Sequence, residues 1–435
     1  MVLVLGLLAA AGIAYVEVDR AAPSDDPAAI PPPAGLTLPA LTTPSPVATG
    51  ATGSADPGAV RRAVEQVLDD ADLGPHVLAT IAGLDGSQLY SAGSGTAMPA
   101  STLKLLTTTA ALDTLGPDHT FDTTVVTDGP RRVVLVGGGD PLLSPQDLKK
   151  LARATAAKVT GTVKVSYDIS LFSGPAINPH WPATYVPEGV VSPIQALWVD
   201  EGRAATGFGR VDDPAAAAAQ VFADDLVRAG LTVRGTPDER TVADGTEVAR
   251  ISSRPLSQIV EHTLTTSDNE AAEVLSHQVG LAVSGVGSFA AGAKAVVQSV
   301  DDLGVPTSGA KVYDGSGLSR DDLVGSDTLA SVLEVAASAD HPELRSVVTG
   351  LPVAGFTGSL VDRFGQGDLA GRGVVRAKTG TLTGTSGLAG IVTDRDGTPI
   401  VFALIADRVD VLDTLDAREA LDEVATALAA CRCGS

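Results

Sequence analysis

The chain opens on an uncharged apolar run, MVLVLGLLAAAGIAYV at residues 1–16. That is slightly short of the ~20 residues a bilayer span takes, and residues 1–18 read as a signal sequence or membrane anchor. Residues 19–57 are rich in Pro, Ala, Ser, Thr and Gly and have no periodic apolar face, the composition of an extended linker. No small-x-small cleavage signal is evident, which favours anchoring over release and places the folded part outside the cytoplasm. Patterned sequence begins after Pro57. In GAVRRAVEQVLDDADL, Val60, Val64, Val67 and Leu68 fall on one helical face. HVLATIAGLDGSQLYSAG reads as two strands joined at Asp85-Gly86. MPASTLKLLTTTAALDTLG reads as a helix entered at Pro99 and Ser101, with Leu103, Leu106, Ala110 and Leu115 at helical spacing.

Between Phe121 and Arg250 the pattern changes. RRVVLVGGGDP is a strand running into a Gly-rich turn, and VTGTVKVSYD is strand-like. NPHWPATYVPEGVVSPIQALWVDEGR is loop-like and holds both tryptophans, Trp181 and Trp198. PAAAAAQVFADDLVRAGLTVRG is a helix stopped by Gly230 and followed by a strand. Helical periodicity returns at Ile251, broken at Ser267-Asp268-Asn269, before a Gly/Ser loop at 312–325. GVVRAKTGTLT, SGLAGIVTD and PIVFALIAD predict an antiparallel meander, and TLDAREALDEVATALAAC a closing helix. The expected architecture is α/β (α+β): one domain built from 58–120 and 251–435, interrupted by an inserted, mostly β accessory domain at 121–250.

The 435 residues leave room for two or three domains and a sizeable core. A formal net charge of -22 argues against nucleic acid as a partner and against adhesion to an anionic membrane by charge alone. The only cysteines, Cys431 and Cys433, are separated by one residue, so a bridge between them is expected to be strained. Two thiols do not complete a zinc site, and His76, His119, His180, His262, His277 and His341 show no metal-ligand spacing. No metal or cofactor is expected. The turn Gly137-Gly138-Gly139-Asp140-Pro141 lacks the Gly-Lys-Ser/Thr of a phosphate loop.

Three short motifs carry chemistry. Ser101 and Lys104, three residues apart, share one face of a first helical turn, where free N–H groups favour developing negative charge. Ser267-Asp268-Asn269 lies in the helix break, and Lys378-Thr379-Gly380 on the first strand of the meander. Each alone has a plain structural reading: a capping Ser with a solvated Lys, a polar break, a strand Lys beside a turn Gly. Their ordered combination, each in its expected context, is the motif set of the penicillin-recognising serine acyltransferases.

The chain resembles that superfamily over roughly residues 59–430, and more narrowly the class C low-molecular-mass penicillin-binding proteins, D-alanyl-D-alanine carboxypeptidase/endopeptidases of bacterial cell walls. The narrower likeness rests on the long insert, on Gly137–Pro141, on Ser192-Pro193-Ile194-Gln195-Ala196-Leu197 and on Asp314-Gly315-Ser316-Gly317-Leu318-Ser319-Arg320. It implies a penicillin-binding transpeptidase/β-lactamase-like fold with an antiparallel sheet flanked by helices. It implies a peptidoglycan stem peptide as substrate and β-lactams as inhibitors. Ser101 is then the nucleophile and Lys104 its base, with a pKa lowered by Lys378 crowding it. Ser267 relays the proton and Asn269 orients the substrate amide. Lys378, Thr379, Gly380 and Thr381 bind the terminal carboxylate, and the N–H groups of Ser101 and Thr381 form the oxyanion hole. Arg320 is implied to meet a diaminopimelate carboxylate, with Leu382 and Thr383 lining the pocket. The acid that members gripping diaminopimelate carry three positions after the loop tryptophan is missing: Trp181 is followed by Pro182, Ala183 and Thr184, and Glu188 is the nearest substitute. A serine β-lactamase is the first alternative, but the class A pattern E-x-x-L-N is absent. The second is a catalytically weak wall-binding scaffold, against which stands the competence of every motif residue. No G-x-S-x-G elbow supports a Ser-His-Asp hydrolase.

Overall fold

The computed structural model describes residues 54–434 except 205 and 208. The apolar run at 1–18 and nearly all of the 19–57 linker lie outside the described residues, and no helix among the described residues is long and apolar enough to cross a membrane. The described residues belong to one compact unit. Its first part runs α1 (Pro57–Leu68), β1 (Val77–Gly83), β2 (Gln88–Ala92), a 3-10 turn at Ala100–Leu103 and α2 (Lys104–Leu115). The middle holds β3 (Asp122–Thr127), β4 (Arg132–Val136), α3 (Pro145–Ala156), β5 (Thr162–Asp168), α4 (Pro214–Arg228), β6 (Thr232–Val233), β7 (Asp238–Glu239) and β8 (Thr246–Ser252). Five helices follow: α5 (Leu256–Thr266), α6 (Asn269–Ser284), α7 (Phe289–Asp302), α8 (Ser326–Ala337) and α9 (Arg345–Thr349). The chain closes with β9 (Arg376–Leu382), β10 (Thr385–Thr393), β11 (Pro399–Ala406) and α10 (Thr414–Ala430).

Helix α1 starts at Pro57, its cap formed by Asp56 accepting from the Ala59 N–H at 2.6 Å. The expected meander is β9–β10–β11, and the expected hairpin β1–β2 joins it through β1 and β11, giving the antiparallel order β2-β1-β11-β10-β9. Strand β11 is buried on both faces, because alternate side chains point to opposite layers. Ile400, Phe402, Leu404 and Ala406 pack under α1 and α10. Val401, Ala403 and Ile405 pack against α2, α5, α6 and α8. The apolar spacing read on α2 is Leu103, Leu106, Ala110 and Leu115, and the structure buries every residue from Lys104 to Leu112. A helix enclosed all round has no amphipathic period to read.

Segment 121–252 builds the second sheet, order β6-β5-β4-β3-β8 with β7 added to β5. Its first and last strands, β3 and β8, pair antiparallel, so the chain enters and leaves the segment side by side. Strands β4 and β5 pair parallel, which requires a crossover, and α3 supplies it. That helix was not foreseen, although its capping box was legible: Ser144 accepts from the Asp147 N–H, and Asp147 from the Ser144 N–H. Beside the expected strands the segment thus carries two helices, α3 and α4, packed on Val133, Leu135, Val163 and Val165 through Leu148, Leu151, Ala218 and Phe222. The Gly137–Gly139 turn serves packing: a Cβ on Gly138 would lie 1.9 Å from the Asp122 carbonyl oxygen.

At the C-terminus Cys431 and Cys433 are disulfide-bonded. Their Cα atoms are 5.3 Å apart, inside the usual range, because the chain is extended after α10.

Truncating α2 tests the layer on which the sheet rests. Leu106 is fully buried, so Leu106→Ala is expected to cost about 2–5 kcal/mol, read as a lowered urea midpoint with an unchanged slope.

Candidate active site

Three elements converge on one wall. The 3-10 turn before α2 carries Ser101, half-buried, and Ala100 ahead of it is held at φ 46°. A left-handed conformation on a residue with a Cβ is a strained arrangement that surrounding contacts must impose. The 3-10 turn and α2 run on without a break, so Lys104 stays beside Ser101, and its Nζ lies 2.9 Å from Ser101 Oγ. The same amine donates to Asn269 Oδ1 at 2.8 Å and to the Ser316 carbonyl at 2.8 Å. All three donors of an ammonium are engaged, which fixes the group in a fully buried position.

Asn269 arrives through the break between α5 and α6. Ser267 takes a left-handed φ of 61°, which ends α5, and Asp268 caps α6 by accepting from the Ala271 N–H at 2.9 Å. The reversal turns Ser267 toward β9 and Asn269 toward Lys104. On β9, Lys378 Nζ donates to Ser267 Oγ at 2.7 Å and to the Thr379 carbonyl at 2.9 Å. Thr379 Oγ1 is 2.8 Å from Ser359 Oγ, a neighbour the sequence did not single out. Gly380 lets the strand close on the turn, since a Cβ there would be 2.6 Å from the Pro99 carbonyl oxygen. Side-chain hydrogen bonds thus join Ser101, Lys104 and Asn269 in one group and Ser267 with Lys378 in another, and the Ser267–Asn269 backbone links the two.

Residues 60–208 and 204–428 match the D-Ala-D-Ala carboxypeptidase 3 (S13) family. The chain belongs to that family. It is 35% identical to carboxypeptidase DacB of Mycolicibacterium smegmatis, over 100% of this chain and 96% of that protein. It is 30% identical to a D-alanyl-D-alanine carboxypeptidase of an Actinomadura species, over 80% of each. In fold it is similar to penicillin binding protein 4 (dacB) of Haemophilus influenzae, with a TM-score of 0.72 at 21% identity, covering 85% of this chain and 99% of that one. The resemblance to class C low-molecular-mass penicillin-binding proteins is therefore shown at the level of family and fold.

In this S13 chain a cavity of about 530 Å³ opens beside the motifs, lined by Tyr185, Val190, Arg320, Thr381, Leu382, Thr383, Val411 and Thr414. Arg320, Leu382 and Thr383 were expected there, and Thr381 beside it at the carboxylate site; Tyr185, Val190, Val411 and Thr414 were not, because they come from loops and the start of α10, which carry no motif. Arg320 is exposed and donates to the Thr383 carbonyl at 3.1 Å. Glu188, the substitute carboxylate considered from sequence, is exposed and is not part of this lining, which contains no carboxylate. A cavity of about 960 Å³ lies elsewhere, against α7, and none of the motif residues lines it.

Electrostatics divide the two lysines. Burial lowers the Lys104 amine to about 8, against the pull of Asp314, Glu273, Asp268 and Glu270 in the other direction. Burial lowers Lys378 well below its ordinary value, with Lys104 and then Arg363 adding to the effect. The crowding expected to act on Lys104 thus falls on Lys378 instead. Behind Lys104, loop 313–322 is pinned by buried acids. Glu273 accepts from the Gly315 and Ser316 N–H groups at 2.9 and 2.8 Å. Asp314 accepts from Trp181 Nε1 and from the Gly317 and Ser319 N–H groups at 2.7, 2.7 and 2.6 Å. The histidines show no ligand spacing along the chain, yet the fold brings His262 together with Glu201 and Asp268. Their ligand atoms lie within 4.8 Å of one another, and the Arg203 guanidinium pairs with Glu201 there.

Gly317 tests the pinned loop. It has φ 80°, and a Cβ would meet the Ala100 carbonyl oxygen at 1.9 Å. Gly317→Ala is expected to lower stability by at least about 1–3 kcal/mol, measured by thermal unfolding.

Proposed function

We propose that the protein is a serine-type D-Ala-D-Ala carboxypeptidase that acts on peptidoglycan stem peptides through an acyl-enzyme. D,D-Endopeptidase cleavage is the same chemistry with a cross-linked leaving group. The observation that carries this reading is the wiring of Lys104. A neutral amine keeps two N–H donors and one lone pair. Asn269 Oδ1 and the Ser316 carbonyl accept the two donors, which leaves the lone pair facing the Ser101 hydroxyl. With its pKa at about 8, Lys104 is neutral often enough to take the Ser101 proton as Oγ attacks the D-Ala-D-Ala carbonyl carbon.

The oxyanion that forms is assigned to the N–H groups of Ser101 and Thr381. Ser267 relays the proton from Lys104 to the leaving nitrogen, D-alanine departs, and water then attacks the ester carbon and returns the proton to Ser101 Oγ. Asn269 orients the peptide amide. The substrate's terminal carboxylate goes to Lys378, Thr379 and Thr381, and its charge favours the ammonium form of Lys378 that burial disfavours. Arg320 is assigned to an acidic group on the side chain preceding the D-Ala pair. The carboxylate-free lining of its cavity supports recognition of that side chain without selection for a free amine. β-Lactams acylate Ser101 in the same way and leave slowly. The cell envelope is the site of action, with residues 1–18 as signal or anchor and 19–57 as tether. Residues 58–120 with 251–435 form the acyl-transfer module, and 121–250 the accessory one.

Labelled penicillin is expected to attach covalently to the wild type and not to Ser101→Ala; equal labelling of both would remove Ser101 as nucleophile. Label held for minutes or longer supports the peptidase, whereas rapid turnover supports a β-lactamase. Because the neutral form of Lys104 is the active one, the acylation rate should climb with pH toward about 8. A rate independent of pH between 6 and 8 would exclude Lys104 as the base.

A further inference from the structure

A second group of charges stands directly behind the Ser267–Asn269 turn, and the acyl-transfer steps leave it unused. Glu201 belongs to a 3-10 turn at Asp200–Gly202 in the middle segment, and its carboxyl oxygen lies within 4.8 Å of one on Asp268, the central residue of the second motif. Both side chains are buried, with 8% and 3% of their surface exposed. Around them, Arg203 Nη2 is 2.5 Å from Glu201 Oε2, and His262 Nε2 is 3.4 Å from Asp268 Oδ2.

The backbone on both sides is strained. Asp200 and Glu201 have φ of 52° and 55°, and Ser267 has φ of 61°. Left-handed conformations on residues with side chains are strained and persist where surrounding contacts impose them. Here two such turns face each other and are joined through Glu201 and Asp268. One residue past Asn269, Glu270 accepts from Arg210 Nε at 2.7 Å and from the Ser192 N–H at 3.1 Å. The middle segment therefore grips the acid on each side of Asn269.

We propose that Glu201 is a positioning residue for acyl transfer: bridged to Asp268, it holds Ser267 and Asn269 at the distances from Lys378 and Lys104 that the reaction requires. This rests on the serine acyl-transfer reading above. Two carboxyl groups in contact hold together when one carries the proton. Burial, and next the Asp268 charge, push the Glu201 carboxyl up to about 8 against the pull of Arg203. Burial also pushes Asp268 up, but His262, the Ala271 N–H and Glu201 outweigh it and keep Asp268 low. Glu201 is thus the donor and Asp268 the acceptor. Above about pH 8 Glu201 loses its proton and two carboxylates meet. Arg203 and His262 face them as cations or donors, and Glu270, itself paired to Arg210, adds to the repulsion. The turn then loosens, and the rate gained by neutralising Lys104 is lost again.

The test uses the whole chain and the single-turnover rate of labelling by fluorescent penicillin from pH 6 to 10, with thermal unfolding as a check on folding. Wild type is expected to rise and then fall with pH. Glu201→Ala should slow labelling at pH 7 by on the order of 10- to 100-fold, the scale of a misplaced reacting group. Glu201→Gln keeps an N–H donor toward Asp268 but cannot ionise; it should recover most of the rate at pH 7 and lack the fall above pH 8. Labelling of Glu201→Ala at the wild-type rate, or a fall in Glu201→Gln matching that of wild type, overturns the proposal. A wild type that takes no label overturns the acyl-transfer reading itself and so is told apart from a failure at Glu201.

Discussion

Two lysine amines with no exposed surface share one wall of this protein, and the rest of the site follows from keeping them there. Burying an ammonium is costly unless every donor finds an acceptor. Lys104 meets that demand with a hydroxyl, a side-chain amide and a main-chain carbonyl drawn from three stretches of chain. Lys378 has two acceptors, Ser267 and its own neighbour's carbonyl, and burial holds its pKa well below the ordinary value. Three of these acceptors, Ser101, Asn269 and Ser267, are groups the proposed chemistry also uses, so the contacts that hold the lysines assemble the reacting groups.

The charge balance behind the wall is set by acids rather than by solvent. Glu273, Asp314 and Asp322 are buried, and each accepts main-chain N–H groups of loop 313–322. Burial, followed by the Asp314 charge, pushes Glu273 and Asp322 well above the ordinary carboxyl range. Ordering this loop places the Ser316 carbonyl on Lys104. Asp314 and Glu273, with Asp268 and Glu270, pull the Lys104 amine up, while burial, the larger effect, pushes it down. Its value near neutrality is a difference between two opposed effects, not the product of one.

Much of the frame was legible from residues alone. The meander, the hairpin, α1, the broken α5–α6 helix and α10 all carry local signals: alternation, a turn at Asp85-Gly86, a Pro start, a polar break. Helices α3, α7, α8 and α9 and strands β3, β7 and β8 were passed over, and on α2 only the spacing Leu103, Leu106, Ala110 and Leu115 was read. For α2 the reason is physical: layers on all its sides remove the polar face that periodicity needs. For α3 the signal was present in the Ser144–Asp147 capping box. The Cys431–Cys433 bridge is made after α10, where the backbone is extended.

The amino-acid sequence by itself determined the chemical inventory: a Ser and a Lys one turn apart, a Ser and an Asn in a helix break, a Lys on a sheet strand, and their order. Those are local properties, readable because helix and strand spacing are local. Tertiary structure alone decided which groups touch. It made burial, rather than a second cation, the leading cause of the lowered Lys104 pKa, and it set Tyr185, Val190 and Val411 around the side-chain cavity. It also brought Glu201, 67 positions away (268 − 201), against Asp268. Pairwise distance and desolvation depend on what packs from elsewhere in the chain, and no spacing along the sequence encodes them.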